Sequence, residues 1–387
     1  MPEFLSEELL AWRAKAERLA LEHLVALRDD PALSVARRRE LTVAASRASG
    51  IAALTQPGHQ RSAEPELRLL VVRETLARHG VGHLPGIFGA APGVLAGVGE
   101  PLATTHLAPL LAGQKRAGFA FTEPADAPRP TWAVIDGDEL VITGQKSYVT
   151  GGADPGPVGS DGLSGAPVIA VDFLTATVDI EGEGPAMVII DTDRPGVELV
   201  RRFTSFDGSG HAAFRFDGVR VPRHCVVGPP GKGLGRALDR ISEVRRTIAA
   251  DCVGTAMWVT DLLARHLRTP RRDGHRPGEE QRARLRYGEA RAMIYAARAT
   301  AYRTARLVDA GESAVNESIA AKLVASEVAN QVVDVAIQLV GGEALIEGHP
   351  LETVHRRLRT LRLAEGESDV LRINIARGHL DLDQGRL

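Results

Sequence analysis

Cysteine is almost missing from this 387-residue chain: Cys225 and Cys252 are the only two, far apart and without CxxC spacing. Neither a disulfide framework nor a zinc site follows from them. Net charge is equally scarce, −2 from 47 basic and 49 acidic residues, which gives no footing for nucleic acid or an anionic membrane surface. Lysine is confined to Lys15, Lys115, Lys146, Lys232 and Lys322, so almost every cation is arginine. That bias reads first as codon usage. The N-terminus shows no basic, apolar and small signal pattern, and no apolar run approaches membrane length. A phosphate loop is missing too, since Gly228-Pro-Pro-Gly-Lys-Gly-Leu-Gly235 fits neither the P-loop nor the dinucleotide fingerprint. The expectation is a soluble protein of a reducing cytoplasm, with no metal and no nucleic-acid or membrane partner.

What is present changes character twice. The chain is long enough for two or three domains. Residues 1–114 read as a helical, alanine- and leucine-rich domain, with apolar residues at three- and four-residue spacing over Glu7–Leu27, Ser34–Ala48, Glu64–Arg78 and Pro101–Leu111. Residues 115–228 read as a β domain, a barrel or sandwich. Val134–Ile142 predicts two short strands about an Asp-Gly turn, and Val168–Phe173, Ala186–Asp191, Val197–Arg201 and Ala212–Phe216 are further strand candidates. Gly151–Gly165 reads as a mobile loop. Residues 229–387 return to helices: Leu238–Arg268, Glu279–Ala310 and Ser313–Val340 have the length of a packed antiparallel four-helix bundle, followed by Pro350–Arg359 and Glu367–Leu382.

Glu365 stands out. It precedes a glycine where one helix ends and an amphipathic stretch (Val370, Leu371, Ile373, Ile375, Ala376) begins. Such a carboxylate is ordinarily a surface residue favoured by the helix dipole. Buried beside apolar neighbours, it would instead have raised proton affinity and suit a general base.

The motifs fall at the joints between the zones. Phe119-Ala-Phe-Thr-Glu-Pro124 resembles the "TEP" signature of the acyl-CoA dehydrogenase family, and Gly144-Gln-Lys-Ser-Tyr-Val-Thr150 its "GxKxWIT" strand. Phe216-Asp-Gly-Val-Arg-Val-Pro222 with Gly231-Lys-Gly-Leu is similar to "FddVrVP…GkGf". Gln338…Gly341-Gly342 and Ala364-Glu-Gly follow as "QxxGG" and "EG(T)". Five motifs in the family's order cover the chain from about residue 92 onward.

The resemblance implies FAD as cofactor and an acyl thioester, on coenzyme A or a carrier protein, as substrate. Glu365 would take the α proton while the β hydrogen leaves as hydride, in lipid metabolism. The thioester carbonyl would be held by the base's own backbone N–H and a ribityl hydroxyl, an oxyanion-hole arrangement. Phe121 and Thr122 would touch the flavin edge, and Tyr148 would take the family's tryptophan place, with Thr150 near the reactive nitrogen. Gln281, Gln338, Gly341 and Gly342 would reach a neighbouring subunit's cofactor, with Arg271 and Glu367 also on the cofactor side. Arg245 and Gly366 would lie on the substrate side. An electron-transfer flavoprotein or another acceptor, and a homodimer or homotetramer, are further implications. Local chemistry leaves plainer readings open: strand patterning for Tyr148 and Thr150, a helix C-terminus for Gly341-Gly342, a solvated face for Arg245.

Three departures stand against the pattern. "TEPxAGSD" becomes Thr122-Glu-Pro-Ala-Asp-Ala-Pro-Arg-Pro130, without the serine. "RxxFG" becomes Pro270-Arg-Arg-Asp-Gly274, and the threonine after Glu-Gly is Glu367. They admit two alternatives: a subunit that completes a partner's flavin site, or a related flavoenzyme acting on a carrier-protein thioester or a nitrogen substrate.

Overall fold

The structure, a computed structural model, describes residues 4–58, 63–153, 169–229, 231–382 and 387. The segment expected as a loop at 151–165 lies outside them from 154 onward. The chain forms two compact units, Met1–Gly89 with Ile241–Leu387, and Ala90–Arg240. Helices α1 (Glu7–Leu19), α2 (Val25–Asp29), α3 (Val35–Ser49) and α4 (Pro65–Arg78) open the first unit, and α5 (Ala108–Ala112) lies in the second. Helix α6 (Gly233–Arg268) carries the chain back to the first unit, which α7 (Gln281–Asp309), α8 (Val315–Val340), α9 (Pro350–Leu361) and α10 (Ser368–Leu380) complete.

The helical unit follows its sequence closely. Ser6 and Ser34 cap α1 and α3 by accepting from Leu9 N and Arg37 N. Pro65 takes the first turn of α4, and the Asp309 carboxylate accepts from Glu66 N and Leu67 N, both at 2.9 Å. The bundle core is built of small residues on α6, α7 and α8, among them Cys252, Ala297, Ala329 and Ala336, with Leu358 of α9 fully buried against them. Helices α6 and α8 are long and apolar enough over an 18-residue window to cross a membrane, which corrects the expectation that no run approaches that length. Of those windows, 67% and 44% is buried inside the protein; a bundle's core helices need the same composition.

The β unit carries eight strands in one mixed sheet: β1 (Ala117–Ala120), β2 (Trp132–Asp136), β3 (Glu139–Thr150), β4 (Phe173–Ile180), β5 (Gly184–Asp191), β6 (Val197–Thr204), β7 (Gly210–Pro222) and β8 (Val226–Val227). Their order is β6-β7-β3-β2-β4-β5-β8, with β1 also parallel to β4. The expected hairpin forms, Asp136 pairing Glu139 across Gly137-Asp138. The strand expected at Val168–Phe173 is displaced: β4 starts at Phe173 and runs to Ile180. The reason is physical. β4 lies inside the sheet, bonded to β5 on one side and to β1 and β2 on the other; its first four residues are all buried, and alternation shows only over Thr177–Ile180.

Candidate active site

The predicted base lies in the helical unit, on the turn between α9 and α10. Glu365 is half-buried and holds φ of +54°, a left-handed conformation uncommon for a residue with a side chain, and Gly366 follows at +110°. A φ of +110° is strained for any residue with a side chain, so this position favours glycine. Two buried cations hold the turn. Arg245 Nε of α6 donates to Glu365 O at 2.9 Å, and Lys322 Nζ of α8 donates to Gly366 O at 2.7 Å and to Arg362 O at 3.2 Å. Below them, Glu327 of α8 accepts from Ser368 Oγ at 2.7 Å and from Arg362 Nη2 at 3.0 Å.

Burial lowers the pKa of Arg245, with the Glu365 charge opposing. It pulls Lys322 down to about 8, against which Glu365 and Glu327 act in part. The solvated-face reading of Arg245 is therefore overturned: it is 8% exposed and its guanidinium serves the turn. Glu367, expected beside the cofactor, caps α10 by accepting from Asp369 N at 3.1 Å and Val370 N at 3.3 Å.

A second cluster lies in the β unit. Phe121 and Thr122 follow β1, and Thr122 O accepts from Ser147 N of β3 at 2.8 Å. Lys146, fully buried, pairs with the Glu123 carboxylate and donates to Thr177 Oγ1 at 2.8 Å. Glu123 also accepts from Thr131 N at 3.2 Å. The Thr-Glu-Pro and Gly-x-Lys motifs are thus two sides of one clamp. Gly144 belongs to it as well, since a Cβ there would meet Thr131 Cα at 2.6 Å.

The clamp precedes a bulge in β3 between Lys146 and Val149. There Tyr148 adopts φ of +56° with its side chain outward, 61% exposed. Ordinary strand patterning does not explain a left-handed tyrosine. Its ring meets Phe203 edge-on at 5.1 Å and His211 at 6.3 Å. The His211 ring nitrogens contact Thr150 Oγ1 at 3.3 Å and Ser209 Oγ at 3.0 Å, and that serine donates to Asp207 at 2.6 Å. Burial lowers the His211 pKa while Asp207 opposes. Sequence reading missed His211; its place on β7 opposite Thr150 is set by strand register.

A third group lies at one end of the α7–α8 hairpin. The short connection between these helices brings Gln281, at the start of α7, to the same end as Gln338, Gly341 and Gly342 at the close of α8. Gly341 has φ of +90°, and a Cβ on either glycine would meet nothing within 4 Å. Arg271 lies 3.5 Å from Glu280 and is exposed, while Asp273 is engaged in its own turn, accepting from His275 N at 3.0 Å.

Comparison with known proteins agrees with these motifs. The family profile of the acyl-CoA dehydrogenase C-terminal domain matches residues 231–380. Cyclohexane-1-carbonyl-CoA dehydrogenase of Geobacter metallireducens is 30% identical over 249 residues, covering 64% of this chain and 62% of that protein. The caffeyl-CoA reductase-Etf complex subunit CarC of Acetobacterium woodii is 25% identical over 298 residues, 76% and 75% of the two chains. Butyryl-CoA dehydrogenase of Megasphaera elsdenii shares the fold, with a TM-score of 0.77 at 20% identity over 98% of this chain and 100% of that one. Residues 231–380 thus match the C-terminal domain of the acyl-CoA dehydrogenase family, and in its motifs, fold and relatives the rest of the chain is similar to that family.

Proposed function

We propose that the protein is an FAD-dependent dehydrogenase of acyl thioesters in which Glu365 removes the α proton. The observation that carries this reading is the left-handed turn that presents the Glu365 carboxylate, its backbone carbonyl held by Arg245 at 2.9 Å. Strain of this kind is characteristic of functional sites. The Glu365 backbone N–H is the donor proposed for the thioester carbonyl oxygen, which would gather charge as the α proton leaves.

The residues of the β unit fit a flavin. A flat heterocycle needs an exposed aromatic face and hydroxyl or backbone donors along one edge, and Tyr148, Thr150, Phe121 and Thr122 offer these around the β3 bulge. When bound, FAD would supply the acceptor for the β hydrogen as hydride. The exposed Gln281, Gln338 and uncrowded Gly341-Gly342 fit contact with a second subunit's cofactor, hence a homodimer or homotetramer. The name of the Acetobacterium woodii relative points to an electron-transfer flavoprotein as redox partner. Two buried free thiols, Cys225 and Cys252, suit a reducing cytoplasm.

A carrier-protein thioester is the second reading. At the segment that lacks the family's serine, Arg129 instead covers the Trp132 ring at 4.4 Å, leaving a cation and no hydroxyl. Flavin absorbance of the purified protein, followed by bleaching with acyl-CoA thioesters and an acyl carrier protein, separates the two. Glu365→Gln is expected to keep bound flavin and to slow bleaching by roughly two or more orders of magnitude, the scale of a positioned base. Bleaching at the wild-type rate would move the base elsewhere, Glu243 being the first candidate.

A further inference from the structure

We propose that Lys322 is a positioning residue for Glu365, holding the 362–366 turn in the one backbone conformation that aims the carboxylate. The inference rests on Glu365 being the base. Lys322 is fully buried, and among the described residues no carboxylate lies within ion-pair distance of it. Its hydrogen bonds instead go to two carbonyls, Arg362 O and Gly366 O, which bracket Glu365 in sequence. A buried ammonium without a counter-ion is costly, and a turn alone does not require one. Arg362 is the C-cap of α9, where a cation also faces the negative end of the helix dipole.

The turn needs this hold. Glu365 and Gly366 are consecutive left-handed residues, a strained arrangement that persists only when its surroundings over-determine it. The carbonyl of Glu365 accepts from Arg245 and that of Gly366 from Lys322, so the two cations fix successive peptide planes. Neither of these two hydrogen bonds of Lys322 goes to the Glu365 carboxylate. Lys322 therefore holds the turn through the backbone, and its removal would re-aim the base as well as take away a cation whose charge the Glu365 carboxylate feels. A displacement of about 1 Å costs on the order of 100-fold in rate.

The test uses the flavin-loaded enzyme and compares Lys322→Met in the wild-type and Glu365→Gln backgrounds. Alone, Lys322→Met is expected to keep bound flavin, to lower the single-turnover rate of bleaching by acyl-CoA about 10- to 100-fold, and to speed amide hydrogen exchange across 363–367. With Glu365→Gln already in place it should add little, because no base is left to aim. A wild-type rate in Lys322→Met, or an equal loss in both backgrounds, overturns the positioning role. A fully active Glu365→Gln overturns the base assignment, and this proposal with it. Should Lys322→Met yield no folded protein, Lys322→Gln, which keeps a donor but shortens the reach, carries the same comparison.

Discussion

Lys146 in the β unit and Lys322 in the helical unit are both fully buried, and each fixes a backbone segment that carries a candidate site residue. They differ in partners. Lys146 has a carboxylate, Glu123, and a hydroxyl, Thr177 Oγ1; Lys322 has two carbonyls. Burial lowers the pKa of Lys146 while Glu123 resists the shift, whereas Lys322 falls to about 8. The first is a paired ion that locks the Thr-Glu-Pro segment onto the sheet. The second is an ion with no carboxylate in direct contact, whose hydrogen bonds to two carbonyls shape a turn. A buried charge with a partner secures the fold, and one without a partner needs a reason beyond stability.

The largest stability difference should come from breaking the pair. Lys146→Met leaves the Glu123 carboxylate without its cation; with the Glu123 side chain 26% exposed, a loss of about 2–3 kcal/mol is expected, below the full range for a completely buried pair. Lys322→Met removes an unpaired charge at the expense of two carbonyl bonds, so its effect near pH 7 should stay within about 1 kcal/mol. Denaturant unfolding of both variants checks the contrast; equal losses would erase it.

The pH dependence of the same pair of proteins sharpens it. Folded Lys322 releases its proton near pH 8 and the unfolded side chain near 10.5. Between those values the unfolded chain binds more protons, so stability rises with pH across this window, and below about pH 8 the burden of the buried charge is fully present. At about 1.4 kcal/mol per pKa unit, the wild type should gain at most about 3 kcal/mol relative to Lys322→Met between pH 8 and 10.5. Parallel stability curves for the two would contradict the shift.

The smallest effect concerns Glu367, which the family resemblance assigned to the cofactor and the structure shows capping α10. Glu367→Ala should lower stability by about 1 kcal/mol, the usual loss for a helix cap, and leave FAD affinity unchanged. Titration of the apoprotein with FAD decides it, since weakened binding would restore the cofactor role.

Most of the fold was legible because its elements are locally specified. Ser34 and Gly50 bound α3, Pro65 opens α4, and Gly137-Asp138 closes the first hairpin. β4 was misplaced because its first four residues, Phe173–Ala176, are all buried inside the sheet, so no alternation marks where the strand begins. In the site, Glu365, Arg245 and Tyr148 were named from motifs, while Lys322 and His211 were not. Lys322 lies 43 positions before the base and His211 is 61 after Thr150, so neither contact leaves a trace in spacing.

The sequence by itself determined the order of helical and β segments and the helix caps, because propensity and capping act over a few residues. Only the tertiary structure decided that Lys146 meets Glu123, that Lys322 and Arg245 grip one turn, and that Glu365 and Tyr148 hold left-handed backbones. Such conformations are unfavourable locally and exist because distant segments, packed around them, leave no better alternative.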